Sequence, residues 1–135
     1  MNALDERARV LVVDDEPSLC RALTMVFKRA GYYVRAIERG EAAEALLHQE
    51  QFDCLVVDLR MPDMRGDVLY LTAAALQPHL REHTIFTTGD ASERATQLLK
   101  ECGCPVVLQK PFDLDDLLDT VHAMTAHRAR RASGE

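Results

Sequence analysis

The sequence predicts an α/β fold, a doubly wound sheet of five parallel strands covered by helices on both faces. Three observations predict it. Five short apolar segments alternate with five stretches of helical periodicity along 135 residues. Four of those segments are unbroken apolar runs, as in strands that bury both faces of a parallel sheet, rather than apolar–polar alternations. Neither repeat nor linker divides the chain, and its length is that of one domain.

Residues 10–13 form the first apolar run, ending in Asp14-Asp15. Leu19, Leu23, Val26, Phe27 and Ala30 then recur at helical spacing, with Gly31 as the stop. The second strand, 33–37, is interrupted by Arg35, which puts it at a sheet edge. Ala43, Leu46 and Leu47 mark a helix after Gly40, and 54–57 is the third strand, ending in Asp58. Val68, Leu69, Thr72 and Leu76 mark the third helix, ended near Pro78, and 84–87 the fourth strand. Ala91, Ala95, Leu98, Leu99 and Cys102 mark a fourth helix that stops at Gly103. The fifth strand is 106–108. Leu114, Leu117, Leu118, Val121 and Met124 mark the last helix, with Asp113 as N-cap. Right-handed crossovers and an edge position for the second strand lead to the order 2-1-3-4-5.

Composition narrows the function. Hydrophobic residues make up 47%, enough for a packed core, and the net charge is -6. So acidic a domain is a poor nucleic-acid binder, and its one basic cluster, Arg128, Arg130 and Arg131, reads as a solvated helix end or tail. No apolar run approaches the roughly 20 residues that span a bilayer, and the N-terminus lacks a signal-peptide pattern. The expectation is a cytoplasmic protein without membrane contact. Cys20, Cys54, Cys102 and Cys104 lack zinc-site spacing and read as free, mostly packed thiols. Of the five histidines, His83 is expected near the site but receives no role.

In a sheet of this kind ligands bind beyond the carboxyl ends of the strands, where the winding reverses. Asp14 and Asp15 follow the first strand, Asp58 the third, Thr88 the fourth and Lys110 the fifth. Adjacent carboxylates repel, so either their pKa values rise or a cation joins them. An all-oxygen set suits a hard ion such as Mg²⁺, which favours a phosphate in its shell. Lys110 adds a compact positive charge and Thr88 a hydroxyl donor. The set is suited to a phosphoryl group transferred to, or held beside, a carboxylate.

These segments resemble the receiver domains of two-component response regulators over nearly the whole chain. VLVVDDEP (10–17) looks like the family's first strand and acidic pair, and VVDLRMPDMRG (56–66) like its phosphoacceptor loop. IFTTG (85–89) looks like its switch-Thr motif and QKPF (109–112) like its Lys-Pro motif. The resemblance implies a flavodoxin-like (βα)5 fold, one receiver domain over 1–135 with its core at about 9–127, and a cis Lys110–Pro111 bond. Asp58 would be the phosphoacceptor. Asp14, Asp15, Asp58 and the Arg60 carbonyl would hold Mg²⁺ or Mn²⁺, while Thr88 and Lys110 would contact the phosphoryl group. The donor would be a phosphohistidine on a sensor histidine kinase or a histidine phosphotransfer protein, and the output partner is unspecified. Such a chain is a switch rather than an enzyme, catalysing only its own phosphorylation and dephosphorylation. Two positions depart from the pattern. Val107 stands where the family often has an aromatic residue, and Arg65 where an acidic one is common. Two other classes compete: a Mg²⁺-dependent phosphatase of the haloacid-dehalogenase type, and a receiver-like scaffold that is never phosphorylated. The first usually carries D-x-D and a cap. The second usually loses Asp58, Thr88 or Lys110.

Overall fold

A computed structural model describes residues 6–89, 97, 100–101 and 106–132. The strands are β1 (Arg9–Val13), β2 (Tyr33–Ile37), β3 (Cys54–Asp58), β4 (Thr84–Thr88) and β5 (Val106–Gln109). All neighbours are parallel, in the order β2-β1-β3-β4-β5. The helices are α1 (Pro17–Arg29), α2 (Gly40–Leu47), α3 (Gly66–Leu76) and α4 (Leu114–Ala132), with a 3-10 turn at Pro78–Arg81. Of the expected fourth helix, Gln97, Lys100 and Glu101 are helical. Its apolar positions Ala91, Ala95, Leu98, Leu99 and Cys102, and its stop Gly103, lie outside the described residues, as does Cys104.

The unbroken apolar runs are explained by two cores. Leu11, Val13, Leu55, Val57 and Phe86 point to one face and meet Ala43, Leu46, Leu69, Tyr70 and Ala73 of α2 and α3. Val10, Val12, Cys54, Val56 and Ile85 point to the other and meet Leu23 and Phe27 of α1 and Leu117 and Val121 of α4. Strand side chains alternate between faces, so a run buried on both must be apolar throughout. Local signals set the ends. Gly31, at φ 93, closes α1, with its N–H on the Lys28 carbonyl and the Tyr32 N–H on that of Phe27. Asp113 caps α4 by accepting the Asp115 N–H at 2.8 Å.

Three expectations are corrected. In α3 the buried face is Leu69, Tyr70, Ala73 and Ala74, while Val68 and Leu76 are exposed. Ala73 and Tyr70, whose hydroxyl reaches the Arg81 carbonyl, pack with the strand side chains. The fifth strand is not buried on both faces: it is the sheet's second edge, and Val107 is 43% exposed. His83 precedes β4 and so lies at the opposite end of the sheet from the acidic residues, where its ring faces that of His79. The last helix runs to Ala132, so the backbone of the basic cluster belongs to it, while the side chains of Arg128, Arg130 and Arg131 lie outside the described ones. The Lys110–Pro111 bond is cis, as expected. Among the described residues, Cys20 and Cys54 are free and buried, and no helix is long and apolar enough to cross a membrane.

Candidate functional site

Sheet register carries the charged residues to one edge. Val13 pairs with both Ile37 and Val57, Asp58 with Thr87, and Thr88 with Gln109. Asp14, the residue after Val13, therefore emerges level with Asp58, and Lys110, after Gln109, emerges at the same end of the sheet. Carboxylate oxygens of Asp14, Asp15 and Asp58 come within 4.8 Å of one another. Asp14 and Asp58 are buried and Asp15 is exposed. Asp15, Glu16, Asp58, Arg60, Gly89 and Lys110 line an open cleft above them.

Lys110 binds the cluster together. Its Nζ donates to Asp14 Oδ2 at 2.8 Å, and to Asp58 Oδ2 and Glu16 Oε1 at 3.2 Å each. Burial disfavours the ammonium, but Asp14 and then Asp58 outweigh it and lift the Lys110 pKa well above its ordinary value. Burial pushes the Asp58 carboxyl up, the Arg60 N–H and Lys110 draw it down, and Asp14 raises it again, leaving a net increase. Asp14 is oriented by the Glu16 N–H, on its Oδ1 at 2.9 Å. Beneath the cleft the Cys20 thiol donates to the Asp14 carbonyl, and burial, with Asp14 beside it, pushes its pKa up to about 11. That thiol is buried and packed.

The loop after β3 is folded tightly over the strand end. The Arg60 N–H donates to Asp58 Oδ1 at 3.1 Å and the Gly66 N–H to the Leu59 carbonyl at 2.8 Å. A Cβ on Gly66 would lie 2.2 Å from the Asp58 carbonyl oxygen, so only glycine allows α3 to start there. Thr88 is buried at the end of β4, and its carbonyl accepts the Lys110 N–H at 2.7 Å. Arg65 pairs with Asp67 at 3.0 and 2.7 Å.

The sequence-predicted Asp14, Asp15, Asp58 and Lys110 thus meet and Arg60 lines the same cleft, while Thr88 is buried next to Gly89 and joined to the cleft through the Lys110 backbone. Glu16 was missed. It stands in the quoted DDEP segment, but only the turn into α1 at Pro17 brings its carboxylate back to Lys110. The donor set is all oxygen, with three carboxylates close enough to share one ion, and it fits a hard divalent cation.

Comparison with known proteins agrees. A family model described as response regulator receiver domain matches residues 10–122. The response regulator receiver protein CpdR of Brucella abortus is 34% identical over 86% of this chain and 95% of its own. A CheY-like receiver domain protein from Methanospirillum hungatei superimposes with a TM-score of 0.83 at 25% identity, covering 93% of this chain and 98% of that one. A response regulator from Burkholderia pseudomallei, solved with a phosphorylated aspartic acid, calcium ion and citrate, gives a TM-score of 0.77 at 26% identity, over 95% of this chain and 75% of that one. Other curated relatives are longer, and the chain spans about a quarter of several of them (26% in one case). With the sheet order, the acidic cleft and a family match that covers most of its length, this chain belongs to the response regulator receiver domain family.

Proposed function

We propose that this receiver domain is a phosphorylation switch in which Asp58 accepts a phosphoryl group from a phosphohistidine. The donor is a sensor histidine kinase or a histidine phosphotransfer protein in the cytoplasm, and the recipient of the signal is an output partner. The observation that carries the reading is the convergence of Asp14, Asp15, Asp58 and Lys110, from three separate strand ends, on a cleft open to solvent. The phosphorylated aspartic acid of the Burkholderia protein supports it.

Asp14, Asp15, Asp58 and the Arg60 carbonyl would hold Mg²⁺ or Mn²⁺, which would neutralise charge on the incoming phosphoryl group. Asp58 must be ionised to attack. Burial opposes that, while Lys110 and the Arg60 N–H favour it. One carboxylate oxygen would form the new P–O bond as the P–N bond to the donor imidazole breaks. Lys110 would then exchange part of its carboxylate contacts for a phosphoryl oxygen, and the Thr88 hydroxyl would donate to another. Switching uses this chemistry once per signal, so the chain acts on itself rather than on a pool of substrate.

Incubation with a small acyl phosphate and Mg²⁺ tests the reading by intact mass. The expected result is stoichiometric labelling that is lost in Asp58→Asn and in chelator. Continuous turnover of a generic phosphomonoester would point to a phosphatase instead. Absence of labelling, with the fold intact, would leave a scaffold.

A further inference from the structure

The loop that carries Asp58 reaches beyond the cleft to a second helix. Asp63 Oδ1 accepts the Gly40 N–H at 3.1 Å and its Oδ2 the Glu41 N–H at 3.0 Å. These are the first two residues of α2, a helix whose own N-cap residue, Arg39, makes no side-chain capping bond. The first N–H groups of a helix lack intrahelical partners, and a carboxylate there also meets the positive end of the dipole. The α2 cap is therefore supplied from the phosphoacceptor loop. The amides of Glu41 and Gly40 hold the Asp63 carboxyl below the usual carboxylate range.

A second contact joins the same two segments. A Cβ built on Gly40 would stand 2.8 Å from Met64 Cβ, so the loop sits this close to α2 because Gly40 has no side chain. Met64 in turn packs against the core shared by α2 and α3. The loop is thus held at two ends. The inner end is closed by the Arg60 N–H on Asp58 and the Gly66 N–H on Leu59. The outer end is closed by Asp63 and Met64 on α2.

We propose that Asp63 is a positioning residue for the phosphoacceptor site: by capping α2 it fixes the outer end of the 58–66 loop and so the placement of Asp58 and Arg60 in the cleft. The proposal rests on the reading of the cleft given above. It has a reciprocal consequence. If the α2 cap favours the loop geometry that binds a cation, then cation binding favours the capped first turn of α2 by the same factor.

Amide exchange by NMR and Mg²⁺ titration of the full chain test this in wild type, Asp63→Ala, Asp63→Asn and Gly40→Ala. Without metal, Asp63→Ala is expected to speed exchange at Gly40 and Glu41 and also at Arg60 and Gly66. It is expected to weaken Mg²⁺ binding by about fivefold, the lower end of common coupling factors. Asp63→Asn keeps one acceptor oxygen and should fall between wild type and alanine. Gly40→Ala leaves the carboxylate in place but presses on Met64, and should weaken Mg²⁺ binding in the same direction. Faster exchange confined to Gly40 and Glu41, with Arg60, Gly66 and Mg²⁺ affinity unchanged, would overturn the proposal and leave a purely local cap. Failure of wild type to bind Mg²⁺ would instead overturn the metal reading, while exchange at Arg60 and Gly66 would still decide the role of Asp63.

Discussion

Lys110 is the one cation shown bonded to Asp14 and Asp58 among the described residues, and removing it leaves two buried carboxylates facing each other. Breaking a buried ion pair from one side costs about 3–5 kcal/mol. The Lys110 side chain is 17% exposed, so water softens the loss. Lys110→Ala is expected to cost about 2 kcal/mol in chelator, read from urea unfolding. Millimolar Mg²⁺ should restore part of it, and a loss unaffected by Mg²⁺ would contradict the shared role of lysine and cation. Asp58 gives the opposite sign. Its folded-state pKa lies above the ordinary 3.8, mainly through burial, so the native state holds that proton more tightly than the unfolded chain. Stability from this group is present below the unfolded pKa and is lost as pH rises through the folded one. Metal-free Asp58→Asn should therefore be more stable than wild type at neutral pH, with the gap closing toward about pH 4. Equal urea midpoints at both pH values would contradict this. Asp58 and Lys110 were legible as residues because each terminates or follows an apolar run. Glu16 and Asp63 were not, because their partners lie 94 positions away at Lys110 and 23 positions away at Gly40.

At the scale of elements, legibility followed burial. β1, β3 and β4 are buried along their whole length and read directly as apolar runs. The β2 edge was visible because Arg35 breaks its run. The exposed face of β5 was not, because Val106, Val107 and Leu108 are all apolar although only the first and third face the core. The α3 face was misread for a related reason: Val68 and Leu76 outrank alanine in hydropathy, but Ala73 and Ala74 are what the fold buries. The junction of β3 and α3 makes a sharper demand. Gly66→Ala would push a methyl group against the backbone of Asp58 and Leu59, which cannot rotate aside as a side chain would. Overpacking of this kind costs typically 1–3 kcal/mol, and the expected loss here is about 3 kcal/mol with labelling at Asp58 abolished. A Gly66→Ala protein with wild-type unfolding and full labelling would show that the loop has room the structure denies it.

The cleft exists only when the whole sheet is assembled. Asp14 and Lys110 are 96 positions apart and Asp58 and Lys110 52 apart, joined through the parallel ladder from β1 across β3 and β4 to β5. The unfolded chain therefore offers a divalent cation no comparable site. A ligand that binds only the native state stabilises by RT ln(1 + [L]/Kd), about 2.7 kcal/mol at a hundredfold excess over Kd. For a domain of this size that corresponds to a rise in Tm of roughly 8–11 °C. Such a shift has two possible sources, since the net charge of -6 also responds to ionic strength through simple screening. Asp15 separates the two. It is exposed, so Asp15→Asn leaves the buried Asp14–Lys110–Asp58 set and the core untouched, while it removes one of the three carboxylates within 4.8 Å. Measured in Mg²⁺ against KCl at matched ionic strength, wild type should show the rise and Asp15→Asn should lose most of it. Equal rises in the two proteins, or a wild-type Tm that does not distinguish Mg²⁺ from KCl, would mean that the three carboxylates respond only to charge screening and do not hold the ion.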